Sequence, residues 1–208
     1  MTDVREIGTP HGPARAHVTG GGAVGTLVLG HGAGGGVESA DLVEVTSEAS
    51  RAGWRVVRVE QPWRVAGKRI AAAPPRLDAG WDAVLQQLRA DDVLTGPLVL
   101  GGRSAGARVA CRTAAAHGAV GVLALAFPLH PPGKPEKSRA DELTAVAVPL
   151  VVVQGETDAF GAPADVAAVL TGHPAASVYA VPGDHSLKKN VTVVAAAAMS
   201  WLDELTVG

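Results

Sequence analysis

The stretch Leu98-Val-Leu-Gly-Gly-Arg-Ser-Ala-Gly-Ala-Arg-Val-Ala110 joins an apolar run to a helical pattern across a serine flanked by glycines. Gly102-Arg103-Ser104-Ala105-Gly106 has the form Gly-x-Ser-x-Gly. In that arrangement the serine sits on a strand-to-helix turn so sharp that only small neighbours avoid a clash. In a chain with 26 glycines the five-residue pattern is weak by itself. Its context gives it weight: a buried-strand signal before it, a helix after it, and acid and base candidates downstream.

Outward from this turn, short apolar runs alternate with helical patterns. Thr26–Leu29, Arg55–Val59, Pro97–Leu100, Val120–Ala126, Pro149–Val153 and Ser177–Val181 read as strands, and Ala14–Thr19 as a further one. Several are continuously apolar, as expected of parallel strands covered on both faces. Leu77, Trp81, Val84, Leu85 and Leu88 recur at the spacing of one helix face. Leu42, Val45, Ala49 and Ala52 form a second stripe, with Gly53 as a C-terminal stop. A third helix runs from about Ala105 to His117 and ends at Gly118. Pro163 opens a fourth. Asn190 caps the last, which turns Val194, Ala197, Ala198, Trp201 and Leu202 inward. This alternation predicts one α/β domain over residues 1–208, a doubly wound, mostly parallel sheet of about six or seven strands with no lid domain. The proline-rich stretch Phe127-Pro-Leu-His-Pro-Pro-Gly-Lys-Pro-Glu-Lys137 is expected to form an ordered loop at the C-terminal edge of the sheet, where ligands bind in such folds.

Composition narrows the class. With 208 residues, 47% apolar and 18% charged, the chain can bury a substantial core. A formal net charge of −2 argues against a nucleic-acid or anionic-membrane partner. Cys111 is the only cysteine, which excludes an internal disulfide and a cysteine-rich metal site. The start, Met1-Thr-Asp-Val-Arg-Glu6, has no apolar signal core, and a cytoplasmic location is the expectation. His11, His17, His117 and His173 lack metal-ligand spacing, and no cofactor is implied.

A serine hydroxyl becomes a useful nucleophile when a base takes its proton and an acid holds that base in one tautomer. Asp158, just beyond the buried run Val151-Val-Val-Gln154, is the acid candidate; Glu156 and Asp165 are less well placed. His185, after the last strand, is the base candidate, with Asp184 beside it unsuited to reach back. Ser104, Asp158 and His185 then all lie at C-terminal strand ends. Leu29-Gly-His-Gly-Ala-Gly-Gly-Gly36 supplies a loop whose Ala33 N–H, with that of Ala105, is placed to form an oxyanion hole. Trp63, Arg103, Phe127, Leu129, His130 and Phe160 are expected near a substrate. Each residue also has a plainer reading: Ser104 as a helix cap, Asp158 as a turn brace, His185 as a surface histidine, and His130 as an anchor of the proline loop. His31 is expected to hold its loop by hydrogen bonds. Arg103, Arg64 and Lys68 could meet an acidic substrate or simply be solvated. Gly34-Gly-Gly36 could suggest a phosphate cradle, but no phosphate-loop pattern completes it. Cys111 is expected to be packed and inert.

The blocks Gly30-His-Gly-Ala-Gly-Gly35, Gly101-Gly-Arg-Ser-Ala-Gly106, Phe127-Pro-Leu-His-Pro-Pro-Gly133, Gln154-Gly-Glu-Thr-Asp-Ala-Phe-Gly161 and Gly183-Asp-His-Ser186 span nearly the whole chain. In these blocks the sequence resembles the α/β-hydrolase superfamily. Within it, the chain is similar to a dienelactone-hydrolase-like branch that includes bacterial predicted hydrolases, a testis-expressed mammalian protein and the hydrolase-like domain of regulatory subunit 3 of the NSL complex. The resemblance implies a Ser104–His185–Asp158 triad acting on a small-molecule carboxylic ester or thioester. It also leaves open a catalytically idle interaction module or a serine peptidase. Dienelactone hydrolases use a cysteine where this chain has Ser104, so their substrate does not carry over.

Overall fold

Four strands whose residues are buried without exception form the middle of one sheet: β3 (Thr26–Gly30), β5 (Leu98–Arg103), β6 (Gly121–Leu125) and β7 (Leu150–Gly155). Their continuous apolar runs need cover on both faces, and the computed structural model, which describes residues 2–68 and 70–207, supplies it. The remaining strands are β1 (Asp3–Ile7), β2 (Ala14–Thr19), β4 (Arg55–Glu60) and β8 (Ala176–Val181), in the spatial order β1-β2-β4-β3-β5-β6-β7-β8. The first two pairings, β1–β2 and β2–β4, are antiparallel; all others are parallel.

Side chains alternate between the faces with the period of two that a pleated strand imposes. Val28, Leu100, Val122 and Val152 join α3 (Pro74–Ala90) and α4 (Ala105–Thr113) in one core. Leu27, Val99, Leu123 and Val151 pack on the other face with α1 (Ala40–Arg51) and α7 (Val191–Val207). Trp81 is fully buried in the first core, and Trp54 is almost so in the second. Among the described residues there are also three shorter α-helices, α2 (Pro62–Val65), α5 (Ala140–Thr144) and α6 (Pro163–Val169), and a 3-10 turn at Pro135–Lys137.

The helix signals match their elements, except that Ala52, expected on the buried stripe, follows the last residue of α1 and is exposed. Gly53 has φ 92° directly after the end of α1, the left-handed conformation that ends helices. Asn190 accepts from Val193 N–H at 3.3 Å, bonding the N-terminus of α7. Helix α4 stops at Thr113, before a turn that reaches Gly118, so it is shorter than expected. The sheet has eight strands rather than six or seven. The extra one is β1, an edge strand with only Ile7 buried. Among the described residues no lid domain interrupts the sheet, and no helix is long and apolar enough to cross a membrane.

Candidate active site

Glycines bring β3, β5 and α4 together. Gly30 lies beside Gly102 in register. A Cβ on Gly106 would come within 2.8 Å of Gly30 Cα, and closer still to the Gly30 carbonyl. Gly102 has φ 151°, and a Cβ there would lie 2.8 Å from Gly30 N. With both side chains absent, α4 starts directly against β3, and Ser104 caps the bend. Ser104 holds φ 54° and ψ −109°, a conformation that costs a non-glycine residue about 1–3 kcal/mol. Its N–H donates to Leu125 O at 2.9 Å, and its carbonyl accepts from Arg108 N–H at 3.1 Å. Two other non-glycine residues with positive φ flank the same sheet edge: Ala126 (46°), after β6, and Leu187 (51°), in the His185 loop.

The loops after β7 and β8 meet Ser104. Gly155 has room for no side chain, since a Cβ there would lie 2.6 Å from Asp184 O. Glu156 N–H donates to Val181 O at 2.9 Å, and Thr157 N–H to Gly183 O at 3.0 Å. These contacts hold the His185 loop on the Asp158 loop. His185 Nδ1 is 2.8 Å from Asp158 Oδ2, and His185 Nε2 is 2.9 Å from Ser104 Oγ. A carboxylate only accepts, so Nδ1 carries the proton and Nε2 accepts from the Ser104 hydroxyl. Asp158 is 4% exposed, and its other oxygen accepts from Phe160 N–H at 2.8 Å. Phe160 then stacks on the His185 ring at a centroid distance of 4.1 Å. The rival acids lie elsewhere: Asp165 accepts from Ala162 N–H at the start of α6, Asp184 accepts from Ser186, and Glu156 is exposed.

Gln154, fully buried, was not singled out by the sequence reading. Its Nε2 lies 2.9 Å from Asp158 Oδ2, 2.8 Å from Gly161 O and 3.1 Å from Phe127 O. Two N–H groups serve three acceptors and tie Asp158 to both neighbouring loops. A lone amide at the end of a buried apolar strand was the available signal, because a buried polar group needs partners.

On the other side of Ser104 stands the glycine loop. Gln61 N–H, necessarily a donor, lies 3.2 Å from His31 Nε2, so His31 Nδ1 carries the proton and donates to Gly32 O at 2.9 Å. Burial holds the His31 imidazole below its ordinary pKa, which keeps this neutral form. His31 therefore staples the loop to the end of β4, as expected. Among the described residues, neither Ala33 N–H nor Ala105 N–H has a protein acceptor.

The expected substrate contacts divide. Phe160 and His130 are partly exposed beside the site. His130 N–H donates to Phe160 O at 3.0 Å, and its Nδ1 lies 3.0 Å from Pro131 O, so it also orders the proline loop. Three other residues need correction. Phe127 is fully buried in the core, and its carbonyl accepts from Gln154 Nε2 and Leu129 N–H. Arg103 is neither solvated nor free: it is 8% exposed, and its Nε lies 3.2 Å from Asp41 Oδ2. Burial pushes the Asp41 carboxyl above its usual range, while Arg103 pulls it back. Trp63 packs against His31 at 5.3 Å and helps enclose a cavity of about 10 Å³, room for one water and no substrate group. Leu129 is likewise 5% exposed.

A family model described as "Alpha/beta hydrolase domain" matches residues 23–203. The chain belongs to the alpha/beta hydrolase domain family. Three solved structures show how closely its architecture follows other alpha/beta hydrolases. An alpha-beta serine hydrolase homologue from Coxiella burnetii aligns with TM-score 0.80 and 18% identity over 97% of this chain and 98% of that one. Est1E from Butyrivibrio proteoclasticus gives TM-score 0.82 and 14% identity, covering 99% of each chain. XC6422 from Xanthomonas campestris, described as an a/b serine hydrolase without lid, gives 0.77 and 20% over 100% of this chain and 96% of that one. At such identities the likeness is one of fold. No curated protein matches the sequence.

Proposed function

We propose that this alpha/beta hydrolase is a serine hydrolase that cleaves carboxylic esters or thioesters of small molecules. The observation that carries the reading is the continuous hydrogen-bond chain from Asp158 through His185 to a conformationally strained Ser104. A helix cap would need no such base, and a turn-bracing aspartate would need no histidine. Ser104 Oγ attacks the carbonyl carbon while His185 Nε2 takes the hydroxyl proton. Asp158 stabilises the resulting imidazolium without itself taking the proton. The oxyanion accepts from Ala33 and Ala105 N–H groups, donors worth roughly 2.7–4 kcal/mol each to a transition state. His185 then protonates the departing alcohol or thiol, leaving an acyl-Ser104. Water, deprotonated by His185, releases the acid and restores the serine.

Phe160 and His130 are the side chains we assign to the substrate wall, with Phe160 also limiting the tilt of the His185 ring. The resemblance of the sequence blocks supports our further reading of the chain as one of the dienelactone-hydrolase-like branch, with Ser104 as its nucleophile. Without a lid domain the site is open, and short acyl groups should be preferred. The test is turnover of 4-nitrophenyl acetate by the native protein, Ser104→Ala and Asp158→Asn. We expect the aspartate variant to lose roughly 10⁴-fold in kcat by losing the correct tautomer, and Ser104→Ala at least as much. Native rates in Ser104→Ala would reject the proposal.

A further inference from the structure

Beside the Ser104 site the glycine loop borders a cleft of about 480 Å³, lined by Gly34, Gly35, Gly36, Arg64 and Lys188 among others. The loop leads there from the nucleophile. A Cβ on Gly32 would lie 3.4 Å from Ser104 Cβ, and one on Gly36 would lie 3.6 Å from Arg64 Nε. The five residues from Gly32 to Gly36, four residue steps, span at most about 14 Å. One tight turn, Gly35 N–H to Gly32 O at 3.3 Å, makes the real span shorter. A small substrate can therefore reach the serine and the cleft together.

The charges lining the cleft do not cancel evenly. Glu38 is paired with Arg58 at 3.2 Å, and Glu60 lies 3.6 Å from Arg15 and 3.9 Å from His17. Arg103 is committed to Asp41. Arg64 and Lys188 are the cleft's cations with no carboxylate within ion-pair distance among the described residues. Lys188 comes from the loop that carries His185, and Arg64 from α2. Between them, Gly34 and Gly36 have N–H groups with no protein acceptor among the described residues. A Cβ on Gly35 would lie 2.7 Å from Ser39 Oγ, so the loop passes close against the start of α1. Two uncommitted cations facing a glycine loop with free amides make a receptor for negative charge. Lys68 does not line this cleft.

We propose that the cleft is a subsite for an anionic group on the substrate, a carboxylate or a phosphate, held by Arg64, Lys188 and the glycine-loop amides. The inference rests on the hydrolase reading and narrows its substrate to an ester or thioester that carries a second, anionic end.

The experiment compares 4-nitrophenyl monoesters of four- to six-carbon dicarboxylic acids with the same compounds as neutral methyl diesters. The readout in each protein is the ratio of kcat/KM for the acid to that for its diester. The native ratio should exceed one by about tenfold at the best chain length. It should fall about tenfold, mainly through KM, in Arg64→Gln and in Lys188→Gln, and should also shrink in 0.5 M salt. Arg51→Gln, at the far end of α1, should leave the ratio unchanged. In parallel, adipate and inorganic phosphate are titrated into the native protein by calorimetry. Millimolar binding that Arg64→Gln abolishes is expected, and the tighter ligand identifies the anion. Ser104-dependent turnover with a ratio near one in every protein overturns the subsite and leaves the hydrolase reading standing. Absence of Ser104-dependent turnover of any ester overturns that reading. In that case, failure of both anions to bind overturns the subsite on its own terms.

Discussion

Gly106→Ala probes the joint that places Ser104. The added Cβ would sit 2.8 Å from Gly30 Cα and nearer still to the Gly30 carbonyl, all backbone atoms that no rotamer change can move. Carbon atoms rest at about 3.5–4.0 Å, so α4 must retreat from β3 by about 0.8 Å or more. Overpacking of this kind costs roughly 1–3 kcal/mol, and with backbone on both sides the upper figure applies. In a chain of this size 3 kcal/mol lowers Tm by about 6–12 °C. The same retreat carries Ser104, whose Oγ lies 2.9 Å from His185 Nε2. A displacement near 0.8 Å breaks that hydrogen bond, and misplacement of about 1 Å can cost 10²-fold in rate. Urea unfolding at constant m and 4-nitrophenyl acetate turnover read the two effects. Gly8→Ala is the control, because its Cβ meets nothing within 4 Å; it should stay within about 0.5 kcal/mol. Native stability and native rate in Gly106→Ala would refute the close packing of α4 on β3.

Gln154→Leu leaves Asp158 Oδ2, Phe127 O and Gly161 O short of a donor; unfolding should show a loss of at least about 1–3 kcal/mol and turnover a fall of about tenfold. At neutral pH Gln154→Glu should be worse than Gln154→Leu in the same assays, because it sets a second carboxylate against Asp158. Burial lowers the His31 pKa, so the native protein resists a proton that the unfolded chain accepts. The stability from His31 is present above the ordinary imidazole range and drains away as pH falls below it, by up to about 1.4 kcal/mol per pH unit. Urea midpoints from pH 7 to pH 5 should therefore fall less steeply in His31→Asn, although His17, shifted the same way, keeps part of the slope. Burial pushes the Cys111 thiol up to about 12, and it should resist aromatic disulfide reagents at pH 8 until urea unfolds the protein; rapid labelling of folded protein would show that α4 opens.

The parts legible in the sequence are those where burial and period act locally. β3, β5, β6 and β7 announce themselves because a strand covered on both faces confines polar residues to its ends, here Thr26, Arg103 and Gln154. β1 escapes because an edge strand can leave Val4 half exposed and bury only Ile7. The short helices α2 and α5 have too few turns to show a stripe. Ser104, Asp158 and His185 could be placed on one edge because each follows a strand in the same direction. The direction of Arg103 was also available. Two residues separate side chains on the same face, and Val99 faces α1, so Arg103 does too and meets Asp41. Phe127 misled because the proline-rich run after it reads as a surface loop, while its own ring still belongs to the sheet's core. The Gln61–His31 hydrogen bond could not be read, since it joins residues about 30 apart whose approach only the packing of α1 and β4 sets.

The central claim is that Ser104 is chemically activated, and a fluorophosphonate probe tests it most directly. Intact mass would be read after reaction of the native protein and of Ser104→Ala, with both shown to be folded. The account predicts a single adduct on the native chain, mapped to Ser104 and absent from the variant. An unlabelled native protein, or equal labelling of both, would contradict it.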